Sequence, residues 1–508
     1  MGAEAVTTPH PAVLLVPFPA QGHVTPMLQL ARALAAHGVA PTVAVPDFIH
    51  RRIAGACGGG VALASIPSGI VVPADAGDDT PPGFGAIVHA MEHHMPPHLE
   101  RMLLAAAPRG GSRPVVACVV VDVLASWAVP VAARCGVPAA GFWPAMLASY
   151  RVVAAIPELI DRGLISESGT PISSDSDSDA HGGRMMAGLG ILPAQVELRA
   201  DELPWLVGDP ATQRSRFAFW LQTLRRARGL RWVLVNSFPA ESAGDDGGDD
   251  ARQGPRVLPV GPALLPGSAA GGKPSCGNQH QGGGGGSSLW RADSSCMGWL
   301  DAQRAGSVVY VSFGSWVGSI GADKVRELAL GLQATGRPFL WALRRDPSWR
   351  AGLPAGFADP GRGMGKVVDW APQEDVLRHP AVGCYLTHCG WNSTLEAVRS
   401  GVRTLCYPVS GDQFINCAYI TGAWGVGLRL RAMTRADVAA GVARVMDGEL
   451  GARLRDKVRA LRDRVVTAEA RRAADRNVGA FVDDVRREGE GGRPPSLQAP
   501  TVQIYSVL

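Results

Sequence analysis

The fold class the sequence predicts is α/β, built as two doubly wound domains, and three observations point to it. At 508 residues the chain is longer than one ordinary core accommodates. It opens on a continuous apolar run, an amphipathic stretch and a second apolar run, the pattern of a βαβ unit whose parallel strands are covered on both faces. After a tract of linker composition, with five consecutive glycines from Gly282, the same strand-then-helix alternation starts again near Ser307.

The first strand is Ala12 to Pro17, followed by the loop Phe18 to Pro26, an amphipathic helix Met27 to Ala36 closed by Gly38, and a strand Ala40 to Val45. That loop stands at the carboxyl end of the first strand, where doubly wound sheets place their ligands. Only Gly22 occupies it, so the glycine pattern of a dinucleotide fingerprint is missing, and His23 stands in its place. A second strand end comes at Val115 to Val121, which runs into Asp122 ahead of a helix through Val129 to Ala133. Each residue alone has a bland reading, His23 as a cap or a solvated loop residue and Asp122 as a helix cap. Together, at two carboxyl ends of one sheet, they form a base and its orienter.

The polar stretch from Ile165 to Arg184 reads as a mobile surface loop. Trp205, Phe217, Phe219 and Trp220 read either as core or as the wall of a ligand pocket. Trp232 to Val235 is a strand. Low-complexity tracts at Ala243 to Gln253 and Gly267 to Ser288 then mark the domain boundary.

In the second half Ser307 to Ser312 is a strand, Phe313-Gly314-Ser315 its turn and Asp323 to Thr335 its helix, with strands at Phe339 to Leu343, Lys366 to Val368 and Val382 to Thr387. The last of these meets the polar cluster His388-Cys389-Gly390-Trp391-Asn392-Ser393. A helix follows, its start signalled by Ser393-Thr-Leu-Glu396 as a capping box and its stop by Gly401. Strand, tight turn and helix N-terminus in that order present backbone N–H groups and the positive end of the dipole to one spot. It reads as an anion site with His388, Asn392 and Ser393 as added donors, or as a helix that Ser393 and Glu396 merely cap. Met433 to Met446 and Leu450 to Ala468 read as closing helices, and the Arg/Gly/Pro-rich tail from Arg486 carries no assigned function.

Composition removes other classes. Apolar content of 46% with 19% charged residues describes a soluble globular chain, and a net charge of +4 without any Lys/Arg block excludes nucleic acid as a partner. No run reaches the roughly eighteen apolar residues of a membrane span, and Ala12 to Val16 is too short and too Pro-flanked for a signal peptide. The nine cysteines are odd in number and scattered, without C-x-x-C or zinc spacing. They read as free thiols of a cytoplasmic protein.

From Trp370 to Gln413 the chain resembles, position by position, the signature box of plant family-1 UDP-sugar-dependent glycosyltransferases. The family's N-terminal P-x-x-G-H is matched by Pro19 to His23, and its strand-end Asp, before a helix leading to G-V-P, by Asp122 with Gly136-Val-Pro138. The resemblance covers roughly residues 12 to 483. It implies the GT-B fold, two Rossmann-like domains facing across a cleft: 1–255 for the acceptor, a flexible linker 256–300, 301–483 for the donor, and a disordered tail 484–508.

The same resemblance implies roles. Trp370 stacks on uracil, Ala371 holds the base through its backbone, and Gln373 and Glu396 take the ribose hydroxyls. His388, Asn392 and Ser393 bind the diphosphate, with Gly314 and Ser315 adding donors. Trp391, Asp412 and Gln413 face the sugar. A closing Gln, here Gln413, goes with glucose, and Trp391 stands where glucuronate-preferring enzymes carry Arg. The reaction this resemblance implies is an inverting transfer of glucose from UDP-glucose, a co-substrate, to a hydroxyl of a flavonoid, other phenolic, terpenoid or hormone in secondary metabolism. His23 is then the general base and Asp122 its partner. No D-x-D cluster stands near the site, so neither metal nor other cofactor is expected, and the protein is expected to act as a monomer. Two other readings remain, a non-catalytic UDP-sugar-binding protein and a UDP-sugar epimerase of the same fold.

Overall fold

The computed structural model describes residues 10–54, 59–70, 82–105, 116–172, 191–193, 195–238, 255–261, 292–315, 317–357 and 364–489. Two parallel sheets organise them. The first contains β1 (Ala12–Val16), β2 (Ala40–Pro46), β3 (Ala62–Ile66), β4 (Val116–Asp122), β5 (Ala139–Trp143), β6 (Trp232–Val235) and β7 (Arg256–Pro259), in the order β3-β2-β1-β4-β5-β6-β7. The second contains β8 (Val308–Ser312), β9 (Phe339–Ala342), β10 (Gly365–Val368), β11 (Val382–Thr387), β12 (Thr404–Cys406) and β13 (Gly427–Arg429), in the order β10-β9-β8-β11-β12-β13. Helices cover both faces of each sheet, which is why the central strands are apolar throughout: Val13 to Val16 and Val308 to Ser312 are all buried.

Strand order reverses between β1 and β4 in the first sheet and between β8 and β11 in the second, and these switch points are where the four polar segments of interest emerge. Register brings them together. Val16 pairs with Val121, so the turn after β1 starts beside Asp122; Ser312 pairs with Thr387, so the turn carrying Gly314 starts beside His388.

Several sequence expectations are corrected. The helix after β1 is Gln21–Ala36, so His23 lies in its first turn and not in a loop. Pro26 is tolerated because it falls early in the helix, where the loss of one N–H frees only the Gly22 carbonyl. The linker is shorter than 256–300. β7 completes the first sheet, while the helix Ser295–Asp301 buries Cys296 and Leu300 in the second domain; 262–291 lie outside the described residues. Of the stretch read as a mobile loop, residues through 172 are held: the Ser166 amide donates to the Thr170 carbonyl at 2.8 Å and the Trp205 indole to the Gly169 carbonyl at 2.8 Å. The remainder of that stretch, like the tract 243–253, lies outside the described residues.

The end of the chain also differs. A helix Ala468–Gly489 crosses back onto the first domain, burying Val478, Phe481, Val482 and Val485 against Trp232 and Leu234. Asp484, the first residue of the expected disordered tail, is 4% exposed and accepts from the Trp232 indole at 2.6 Å. Residues 490–508 lie outside the described ones. Among the described residues no helix is long and apolar enough to cross a membrane.

The two domains share an apolar cluster in which Phe238, after β6, stacks on Trp391 at 6.2 Å with Trp424 beside both. Arg429 of β13 and the buried Glu202 add an ion pair across the same boundary, 2.6 Å long.

Candidate active site

At the end of β4, Asp122 is fully buried and uses both carboxylate oxygens. Oδ1 accepts from the Leu124 amide at 2.9 Å, capping the short 3-10 turn Val123–Ala125, and Oδ2 lies 2.8 Å from His23 Nδ1. The capping and orienting readings of Asp122 therefore hold at once, because one carboxylate has lone pairs for both. A carboxylate at Nδ1 fixes the tautomer that carries its proton there and leaves Nε2 with a lone pair, the arrangement a general base needs. Phe18, 5.1 Å from the imidazole, gives the ring an apolar flank.

Facing it, β11 ends in Thr387, His388 and Cys389. Cys389 has φ 67°, the one non-glycine residue with positive φ among those described, and this kink turns the chain into the helix Trp391–Ser400. The helix starts three residues before the predicted position, with Gly390 and not Ser393 at its N-cap and no side-chain cap. The capping box is thus not formed. Gln373 instead takes both of its members: its Nε2 donates to Ser393 Oγ at 2.9 Å and to Glu396 Oε2 at 2.6 Å. The Tyr310 and Tyr385 hydroxyls donate to Gln373 Oε1 at 3.2 and 3.1 Å, which orients the amide. Burial pushes the Glu396 carboxyl up to about 7, against the opposing pull of Gln373.

His388 is buried between two glycines. A Cβ at Gly314 or Gly390 would come within 2.8 or 2.5 Å of its ring. Desolvation brings its imidazolium down to about 4, partly opposed by a backbone bond to Ser312, so the ring is neutral near pH 7. Its Nδ1 is buried with no hydrogen-bond partner among the described residues, an unmet group of the kind a ligand satisfies. Gly314 has φ 71°, and Arg344 clamps the loop behind it through the Ser315 and Val317 carbonyls, both at 2.7 Å. Gly314→Ala is accordingly expected to move His388 or the turn, with about 1–2 kcal/mol of backbone strain alone, and to weaken UDP binding about tenfold. Calorimetry with UDP, beside a melting curve to confirm folding, checks this; unaltered UDP affinity would remove His388 and this turn from the diphosphate.

The remaining predicted residues fall as follows. Ala371 is buried, and Trp370 is half-buried at the end of β10 with its carbonyl accepting from the Asp293 amide at 2.8 Å. Asp412 accepts from Asn416 Nδ2 at 2.9 Å; burial raises its carboxyl, offset in part by that hydrogen bond. Gln413 Oε1 accepts from the Val409 and Ser410 amides at 2.9 and 3.0 Å, so its carbonyl end holds its own loop.

Trp391 corrects an expectation. Its indole is 4% exposed, donates to the Asn236 carbonyl at 2.6 Å and stacks on Phe238, so the side chain wedges the domains together. As the first helical residue it is rotated toward the end of β6, a direction that spacing along the chain does not reveal. Its neighbour Asn392 also bridges the domains. Its Nδ2 donates at 3.0 Å to the Gly22 carbonyl, which Pro26, four residues on, cannot occupy for lack of an N–H. Sequence reasoning missed the roles of Asn236, Tyr310, Tyr385 and Asn416. Tyr310 and Tyr385 sit inside strands where a buried aromatic is indistinguishable from core.

The seven cysteines described are free thiols, with the buried sulfurs of Cys389, Cys406 and Cys417 within 4.8 Å of one another.

The family described as "UDP-glucoronosyl and UDP-glucosyl transferase" matches residues 288–454. "UDP-glycosyltransferase 82A1" of Arabidopsis thaliana is 44% identical over 487 residues, 92% of this chain and 97% of that protein. "DIMBOA UDP-glucosyltransferase BX8" of Zea mays is 35% identical over 464 residues, 89% and 93% of the respective chains. The crystal structure of Os79 from O. sativa in complex with UDP matches with a TM-score of 0.72 at 28% identity, covering 93% of this chain and 100% of that one. Two parallel-sheet domains whose switch points face each other, a donor box on one of them and this extent of shared sequence lead to one conclusion: the chain belongs to the plant family-1 UDP-dependent glycosyltransferases, enzymes of the GT-B fold that use a UDP-sugar as co-substrate.

Proposed function

We propose that this enzyme transfers glucose from UDP-glucose to a hydroxyl of a small lipophilic acceptor, a flavonoid, other phenolic, terpenoid or hormone, with inversion to give a β-glucoside. The observation that carries the reading is the pair His23 Nδ1 to Asp122 Oδ2 at 2.8 Å, positioned across from the donor box. A UDP-sugar-binding protein without catalysis has no use for an oriented base. The Zea mays relative, named for DIMBOA, supports a small-molecule acceptor.

In this mechanism His23 Nε2 removes the acceptor hydroxyl proton as the oxygen attacks the anomeric carbon; the bond to the diphosphate oxygen breaks on the opposite face, and UDP leaves with the electron pair. The transition state is oxocarbenium-like. Trp370, Ala371, Gln373 and Glu396 hold the uridine. His388, Asn392, Ser393, the Gly314–Ser315 turn and the helix N-terminus meet the charge growing on the diphosphate. Asp412 and the amide nitrogen of Gln413 address the sugar hydroxyls. Both halves of the site lie on one chain, which fits a monomer, and free thiols fit a cytosolic location.

UDP release from UDP-glucose across a panel of phenolic, flavonoid and terpenoid acceptors, with a no-acceptor control and product masses, tests the proposal. Acceptor-dependent release with a β-glucoside is the expected result. UDP-glucose bound but never consumed would favour the binding protein, and hexose interconversion without acceptor the epimerase. With the charge on the diphosphate met by protein groups as proposed, the same assay in EDTA is expected to proceed at an undiminished rate; loss restored by Mg²⁺ would overturn metal independence.

A further inference from the structure

Two arginines on the helix Pro210–Ala227 meet the neighbouring helical segment Phe84–His94 in different ways. Arg226 forms a two-pronged ion pair with Glu92, each bond 2.8 Å. Arg216, nearly three turns earlier, has its guanidinium 4.5 Å from the centre of the Phe84 ring, and its buried Nε has no hydrogen-bond partner among the described residues. Burial lowers its pKa with no carboxylate opposing the shift. A partly desolvated guanidinium lacking a counter-charge is costly, and a ligand is one way to supply it.

The surroundings of Arg216 lead to the catalytic pair. Phe84 lies 6.5 Å from Phe18 and 5.5 Å from Phe219, and Phe18 lies 5.1 Å from His23. The arginine helix also packs on Val123–Ala125, the turn that Asp122 caps. His23, two aromatic rings and a guanidinium with no carboxylate partner among the described residues thus follow one another along the proposed acceptor half. A guanidinium stacked by its face on a ring keeps its N–H edge for a planar anion, and carboxylate matches that fork two-pronged.

We propose that Arg216 selects acceptors bearing a carboxylate at the end remote from the hydroxyl that His23 deprotonates, with a flat apolar body lying along the half-buried Phe84. This inference rests on the glucosyltransferase reading above and specifies its substrate class.

The test uses ω-(4-hydroxyphenyl)alkanoic acids of increasing chain length, each paired with its methyl ester, and UDP-glucose as donor. Wild-type enzyme is expected to favour the acid over its ester in kcat/KM by about tenfold or more at one chain length. In Arg216→Gln that preference disappears through a higher KM for the acid, while ester kinetics stay put and certify the fold; Arg216→Lys recovers part of it. The product is a phenolic glucoside that resists mild alkali. Acid and ester used equally by the wild type, a preference unchanged in Arg216→Gln, or an alkali-labile sugar ester would each overturn the inference. Ester transfer abolished by His23→Ala would in those cases leave the transferase standing, whereas no transfer to any member would overturn both.

Discussion

In the His23→Ala variant, kcat for transfer to an unactivated hydroxyl is expected to drop by about 10²–10⁴-fold, the range a positioned general base contributes, while UDP-glucose still binds. The separation follows from the fold: His23 belongs to the first turn of the helix Gln21–Ala36 in the first sheet's domain, and the predicted uridine and diphosphate residues belong to the second. Asp122→Asn is expected to lower kcat as well, since an amide can present its N–H to Nδ1 and force the other tautomer. Calorimetry for donor affinity and UDP release for kcat separate the two quantities. Retention of most activity by His23→Ala with an alkyl alcohol acceptor would show that the base lies elsewhere; retention confined to acidic phenols would not, because they ionise without help.

The second large effect concerns Glu396 and has a pH signature. Its carboxyl is raised by burial from 4.5 to about 7, so the folded chain holds a proton here that the unfolded chain releases between those values. Where the native state binds more protons, stability falls as pH rises, so this group's contribution is favourable at acid pH and is lost through the window from 4.5 to about 7. Ribose hydroxyls donating to the carboxylate favour its charged form and reverse the preference. UDP binding at pH 6 is therefore expected to release a proton, seen as a buffer-dependent binding enthalpy that vanishes above pH 8. Glu396→Gln should abolish that release and weaken UDP binding roughly 10–100-fold. If Glu396→Gln binds UDP normally and changes only the melting temperature, Glu396 serves the fold and not the ribose.

The features legible in the sequence were mostly local. Apolar runs bounded by turns placed Trp232–Val235 and Val382–Thr387 at the bounds the structure has, since a strand covered on both faces requires continuous apolarity. The final helix left a signal too: Ala474, Val478, Phe481, Val482 and Val485 repeat at helical spacing, though Arg and Asp around that narrow stripe disguise it. The polar residues around the two switch points were visible as a set because strand ends carry the ligand-facing loops of such sheets.

Partner choice was not legible. Ser393 and Glu396 satisfy the spacing of a capping box, yet the nearby Gln373 amide claims both, because the turn at Cys389 starts the helix three residues early. Trp391 stands in the donor box but turns to Asn236 and Phe238 of the other domain, and Asn392 reaches the carbonyl that Pro26 leaves open. The amino-acid sequence by itself determined the strands, their alternation with helices and the residue types at each strand end, because hydrophobic period and backbone chemistry act over a few residues. Only the tertiary structure decided which oxygen of Asp122 meets His23, which amide holds Glu396 and which arginine has no carboxylate partner among the described residues. Those outcomes depend on register and on the packing of segments tens to hundreds of residues apart, where a difference of a few ångströms chooses the partner.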